Sequence, residues 1–406
     1  MDWQTTPEDS VPSTLVPGSA MPGGALGIVG KPPVTGAWRP GDDPGARRFA
    51  SLGPLDVRGG RIPDLRVAYE TWGTLADDRS NAVLVFHALT GDSHVTGDAG
   101  PGHRTAGWWS EIVGPGRPLD TDRWFVIAPN MLGGCQGTTG PSSMSGDGVE
   151  WGSRFPFVTV RDQVAAQTAL MDQLGLDRFA AVIGGSMGGM HALEFALAAP
   201  ERVERLAVLS APAQTTADQI AANSLQRAAI QMDTGFAGGD YFDAGPGDGP
   251  HRGLALARRM ALLTYRASAE LNSRFARSWQ SEVSPLGDDG RFSVESYLDF
   301  HGNKFTRRFD ADSYLTLLHA MDSHDVGTGR GGVAAALATI TARTLVVGIT
   351  SDRLFPLEDQ DRIAASVPDT LDGGAATVID SEFGHDGFLI EAAAVGGHLT
   401  RLLRDA

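Results

Sequence analysis

Along the chain, compact apolar runs alternate with stretches in which apolar residues return every three or four positions. The runs are "LRVAYETWG" (65–73), which reads as a strand entering a turn, "NAVLVFHAL" (81–89), "RWFVIAPN" (123–130), "AAVIGG" (180–185), "RLAVLS" (205–210), "ARTLVVGIT" (342–350) and "AATVID" (375–380). Runs that are apolar on both faces suit strands of a mostly parallel sheet covered by helices. The helical patterns between them are "VTVRDQVAAQTALMDQLGL" (158–176), ending near a Gly175 C-cap, and "MGGMHALEFALAAP" (187–200), stopped by Pro200. "PLEDQDRIAASV" (356–367) has Pro and acids in its first turn, and "DGFLIEAAAVGGHLTRLLRD" (386–405) closes the chain. Strands alternating with helices predict an α/β fold.

Between residues 211 and 342 no buried strand is evident. "ADQIAANSLQRAAIQMD", "HRGLALARRMALLTYRASAELNSRF", "VESYLDFHGNKFTRRF" and "ADSYLTLLHAMDSHDV" all read as helical. A stretch this long is no plain loop. It predicts a helical cap inserted before the strand at 342–350 and lying over the sheet's C-terminal edge, where open α/β folds bind ligands. Residues 1–60 are rich in Gly and Pro with little periodicity. Residues 1–45 are expected to be a loosely held arm, with 46–210 and 343–406 as the core.

Composition narrows the function. The 406-residue chain carries a net charge of −16, its only lysines are Lys31 and Lys304, and it has no basic block. Nucleic acid is therefore an unfavourable partner. No uncharged apolar run reaches membrane-spanning length, and the acidic start "MDWQTTPEDS" does not resemble a signal peptide, so a cytoplasmic setting is expected. Cys135 is the only cysteine, which excludes an intrachain disulfide and a thiolate zinc site.

The candidate chemistry lies in "VIGGSMGGM" (182–190). A lone serine between glycine pairs, after a strand and before a helix, forms the G-x-S-x-G nucleophile elbow, here Gly184 to Gly188. Ser186 is the candidate nucleophile, and the backbone N–H of Met187 a candidate oxyanion donor. A serine needs a base and a group to orient that base. Asp352, in "SDRLFP", and His385, in "GHDGFL", each follow a strand and precede a helix, in the chain order this elbow requires. Asp380 and Asp386 compete for the acid's role. Asp380 lies at a strand end, and Asp386 is too close to His385 to reach back to Nδ1. His398 falls inside a helix. The second oxyanion donor is expected from "FHALTGDSH" (86–94), near the Leu89 N–H. His87 and His94 in that loop are read as structural, since no acidic or sulfur partner at clear spacing completes a metal site. Cys135 is read as a small buried thiol.

"HALTGDSH", "NMLGGCQGTTGP", "FPFVTVRDQVAAQ", "VIGGSMGGM", "NSLQRAAI", "GNKFTRRFDADSYL", "SDRLFP" and "GHDGFL" together resemble the homoserine O-acetyltransferases of the α/β-hydrolase superfamily. The resemblance implies the α/β-hydrolase fold and assigns nucleophile, acid and base to the same Ser186, Asp352 and His385. It adds Arg227 and Asp386 as contacts for the homoserine carboxylate and amine. Arg227 has a case of its own, because an arginine fork suits a carboxylate. The reaction implied is ping-pong transfer of acetyl from acetyl-CoA, a substrate and not a resident cofactor, to L-homoserine in methionine biosynthesis. No metal is implied, and a homodimer through the cap helices is. Succinyl as donor group, serine or deacetylcephalosporin C as acceptor, and ester or lactone hydrolysis use the same triad and remain alternatives.

Overall fold

The computed structural model describes residue 28 and residues 30–404. Eight strands form the main sheet: β1 (Arg48–Val57), β2 (Gly60–Trp72), β3 (Ala82–Phe86), β4 (Phe125–Pro129), β5 (Ala181–Gly185), β6 (Arg205–Leu209), β7 (Arg343–Ile349) and β8 (Thr377–Ile379). Their order is β1-β2-β4-β3-β5-β6-β7-β8. The first two pairings, β1 with β2 and β2 with β4, are antiparallel, and the rest are parallel. This is the α/β-hydrolase arrangement, and it matches the expected mostly parallel sheet.

The central strands are buried on both faces, as their unbroken apolar runs require. In β3, Ala82, Leu84 and Phe86 join one core layer while Val83 and Val85 join the other. The first layer also takes α1 (Val160–Leu174) and α2 (Met187–Ala198). The second is closed by Trp109, Ile112, Trp124 and the last helix. A capping box between Thr159 and Asp162 starts α1, and Gly175 ends it at φ 67°.

The chain between β6 and β7 is helical, as the periodicity indicates. It forms α3 (Ala217–Gln231), α4 (His251–Tyr265), α5 (Ser268–Phe275), α6 (Ser293–Phe305), α7 (Ala311–Asp322) and the short α8 (Val333–Leu337). After β7 come α9 (Leu357–Ser366), α10 (Gly387–Ile390) and α11 (Ala392–Arg404). The single helix expected over 386–405 is thus broken at Glu391, whose ψ of 52° is not helical. Pro356 caps α9 and does not enter its first turn.

The chain divides into residues 1–31 and residues 32–406, and all the elements above belong to the second unit. Residues 34–43, expected as part of a loose arm, are bonded into place. The Gly36 N–H donates to Phe309 O at 3.1 Å, the Trp38 N–H to Cys135 O at 2.9 Å, and the Thr35 hydroxyl to Asp310 at 2.7 Å. Aperiodic sequence concealed these bonds because backbone groups and one hydroxyl make them, not an apolar face. The first 27 residues of the expected arm lie outside the described residues. Among the described residues no helix is long and apolar enough to cross a membrane.

Candidate active site

Ser186 stands between the end of β5 and the start of α2, with φ 58° and ψ −127°. A positive φ at a non-glycine residue is strained, and it persists only where the surroundings enforce it. Here the Ser186 N–H donates to Leu209 O at 2.9 Å, tying the elbow to β6. The glycines allow helix and strand to pass this closely. A Cβ on Gly184 would lie 2.0 Å from Gly188 O, and one on Gly188 would lie 2.3 Å from Phe86 O.

The other two triad candidates converge on the serine. His385 lies in a 3₁₀ turn, Gly384–Asp386. Its Nε2 is 2.8 Å from Ser186 Oγ, and its Nδ1 is 2.7 Å from Asp352 Oδ2. Asp352 Oδ1 accepts the N–H groups of Leu354 and Phe355 at 2.9 and 3.0 Å, which fixes the carboxylate. A carboxylate at Nδ1 keeps that nitrogen protonated and leaves Nε2 to accept the serine proton. All three side chains are buried. Burial disfavours charge on His385, but the Asp352 charge and hydrogen bond outweigh it and raise the imidazole's pKa. The rival acids are occupied elsewhere. Asp380 accepts from Thr350 at 2.9 Å, and Asp386 lies 3.1 Å from Arg266.

Leu89 and Ser186 line one cavity beneath the cap. Met187 is the first residue of α2, where N–H groups have no intrahelical acceptor. Among the described residues neither the Leu89 nor the Met187 amide has a protein acceptor. The cavity's roof is polar: Gln219, Asn223 and Gln226 face it from α3, beside Tyr265. Arg227 does not line the cavity. Its guanidinium is bonded to Asp322, whose other oxygen accepts from Asn223 at 2.8 Å.

A different arginine, which the sequence reading did not single out, also lies outside the cavity lining but stands one ring from the triad. Arg258 of α4 sits 5.5 Å from the Tyr265 ring centre, and that ring is 5.8 Å from the His385 ring. Arg258 Nη1 is 3.4 Å from Thr90 Oγ1, and Arg308 Nη2 donates to Thr90 O at 2.8 Å. Among the described residues the bonds of these two arginines go to Thr90 and aromatic rings, not to a carboxylate, and Thr90 directly follows Leu89. The signal in the sequence was the seven-residue spacing of Arg258 and Tyr265, which puts both on one face of a helix.

His87 is structural, as read. Its Nε2 accepts the Met131 N–H at 3.1 Å, and burial lowers its pKa. Cys135 is buried, and burial together with Asp310 pushes its thiol up to about 12, so it supplies no thiolate at neutral pH. The reading of His94 needs correction, because an acidic partner exists. Glu70, in β2, meets His94 Nδ1 at 2.9 Å, and His103 lies 3.7 Å from the same carboxylate oxygen. The three offer ligand atoms within 4.8 Å of one another. The two imidazoles are stacked, however, with centres 3.7 Å apart and planes 12° apart. Their in-plane lone pairs run side by side and do not converge on one ion.

The fold is that of the α/β-hydrolase class, and a family model described as alpha/beta hydrolase fold matches residues 81–392. The chain is 62% identical to a homoserine O-acetyltransferase of Leifsonia xyli over 403 residues, covering 99% of each chain. It therefore belongs to the homoserine O-acetyltransferase family of acyltransferases. Among solved structures, a homoserine O-acetyltransferase from Bacillus anthracis superposes with a TM-score of 0.79 at 25% identity, covering 88% of this chain and 97% of that one. An acetylester hydrolase from Corynebacterium glutamicum gives 0.75 at 27%, covering 89% and 96%.

Proposed function

We propose that the protein transfers an acetyl group from acetyl-CoA to the side-chain hydroxyl of L-homoserine through an acetyl-Ser186 intermediate. The observation that carries this is the Ser186–His385–Asp352 hydrogen-bonded line opening into a cavity with a polar roof from the cap, in a member of this family. His385 Nε2 takes the Ser186 proton as Oγ attacks the thioester carbonyl. The oxyanion is held by the Leu89 and Met187 N–H groups. The C–S bond breaks, and His385 returns the proton to the departing CoA thiolate. Homoserine then enters, His385 takes its hydroxyl proton, and the alkoxide attacks the acetyl-serine. Collapse of the second tetrahedral intermediate gives O-acetylhomoserine and returns the proton to Ser186.

The acceptor's charges need partners away from the reacting hydroxyl. Arg258, lacking a carboxylate partner and one ring from His385, suits the homoserine carboxylate better than Arg227, whose guanidinium Asp322 occupies. Arg227 acts behind the site by holding Asp322 against Asn223. Asp386, beside His385, is paired with Arg266 through Oδ2 and has its other carboxylate oxygen for the ammonium. No step requires a metal or a permanently bound cofactor. The reaction belongs in the cytoplasm, where acetyl-CoA is made and a lone thiol such as Cys135 stays reduced. The active form is a dimer through the cap, where Ile220, Leu225, Met232, Leu256 and Leu263 are exposed.

Ester hydrolysis is the second reading, favoured by the likeness to the acetylester hydrolase. Mass spectrometry of products, with acetyl-CoA and succinyl-CoA competing for homoserine, separates the readings. O-Acetylhomoserine as the main product is expected. Free acetate in its place would overturn the transferase reading, and O-succinylhomoserine the choice of donor.

A further inference from the structure

The strand β2 carries a buried carboxylate that the reaction does not use. Glu70 is 1% exposed, and both its oxygens are engaged by the loop that follows β3. Oε1 accepts the Ser93 hydroxyl at 2.8 Å, and Oε2 accepts the His94 Nδ1–H at 2.9 Å. His94 Nε2 faces a second acceptor, Asp98 O, at 3.2 Å. An imidazole with an acceptor at each nitrogen satisfies both only when doubly protonated. These contacts favour the doubly protonated ring beside Glu70. Burial opposes the charge on His94, and the Glu70 hydrogen bond and charge more than offset it. His103 Nε2 accepts the Ala46 N–H at 3.1 Å, so the ring stacked on His94 is neutral.

This pair sits beneath the segment that presents Leu89. The Ser93 N–H donates to Asn130 Oδ1 at 2.7 Å, and the Trp108 indole donates to Asp92 O at 2.9 Å. The far end of the segment is fixed by the bond between His87 and the Met131 N–H. A buried ion pair is seldom a net gain in stability over apolar packing, and its best-attested use is to specify one arrangement. The arrangement specified here is that of the loop holding an oxyanion donor, where small displacements are costly.

We propose that Glu70 and His94 are positioning residues for acyl transfer, acting through Ser93 to hold the Leu89 N–H against the oxyanion. The inference rests on the assignment of Leu89 as an oxyanion donor. Its measurement is the rate of Ser186 acylation by p-nitrophenyl acetate, together with the affinity of phenylboronic acid, which forms a tetrahedral adduct on the serine. Neither readout involves homoserine, so failure to make O-acetylhomoserine would leave the test intact. In Glu70→Gln the acylation rate should fall roughly tenfold to a hundredfold, with KM within about twofold of the original. Phenylboronic acid should bind correspondingly more weakly, while CoA, which forms no tetrahedral adduct, binds as before. His94→Asn should behave alike, and the double variant should lose little more than the worse single one. A folded Glu70→Gln protein with unchanged acylation and boronic-acid affinity overturns the proposal. Where that variant does not fold, Ser93→Ala, which keeps the ion pair, should still slow acylation roughly threefold to tenfold at unchanged KM. No loss in Ser93→Ala also overturns it.

Discussion

Arg258 and Arg227 differ in what holds them. Arg227 is neutralised by Asp322, whereas Arg258 is held by aromatic faces and a threonine hydroxyl. A cation with no carboxylate partner is available to a carboxylate substrate. Arg258→Gln should therefore leave Ser186 acetylation nearly intact and slow its discharge by subsaturating homoserine. The loss of charge-assisted bonds, about 1.5–3 kcal/mol, corresponds to roughly ten- to over a hundredfold. Arg227→Gln should lose less. Rapid-quench measurement of the two half-reactions checks both, and the reverse ranking would return Arg227 to the carboxylate. At this scale the triad was legible because each member follows a strand and precedes a helix, and chain order did the rest. Arg258 was not, because α4 is rich in arginine and only the fold shows which one stacks on Tyr265 beside His385. Glu70 was not, because 24 residues, strand β3 among them, separate it from His94.

Elements buried on both sides were the easiest to read, and half-exposed ones the hardest. Strands β3 to β7 each hold a continuous apolar stretch, so they appear where the sequence predicts them. The first strand, β1, went unread. It is an edge strand with register shifts near Gly53, and only Phe49, Leu52, Leu55 and Val57 give it apolar character beyond alanine. The cap's helices were legible from their periodicity, and their outward faces carry a consequence. Leu225 is 62% exposed and Met232 83% exposed on the α3 side of the cap. Large apolar groups left in water on adjoining helices favour burial against a second copy. Replacing both with Glu should convert the proposed dimer to a monomer in sedimentation velocity while the far-UV spectrum stays unchanged. An unaltered sedimentation coefficient would place the interface elsewhere.

Taken as a whole, the molecule ties its cap to the segment preceding β1 through a buried acid. Asp310 accepts from Thr35, from Tyr241 and from the Ser313 N–H, and Asp312 follows it with Oδ2 buried and unbonded. Burial, then the charges of Asp310 and Asp240, push the Asp312 carboxyl up to about 8 from 3.8. Between those values the folded chain holds a proton that the unfolded chain has released, so stability falls as pH rises through the window. Asp312→Asn should flatten the decline in melting temperature between about pH 5 and pH 8. An equally steep decline in the variant would locate the titrating group elsewhere. None of this was legible in the sequence, where "FDADSYL" reads as an ordinary helix start. The central claim, covalent transfer through one serine, concerns the complete site and is tested most directly by intact-protein mass spectrometry. Incubation with acetyl-CoA alone should add one acetyl group, mapped to the peptide bearing Ser186. Addition of L-homoserine should remove it with stoichiometric appearance of O-acetylhomoserine. Turnover with no acetyl group ever found on Ser186 would contradict the account.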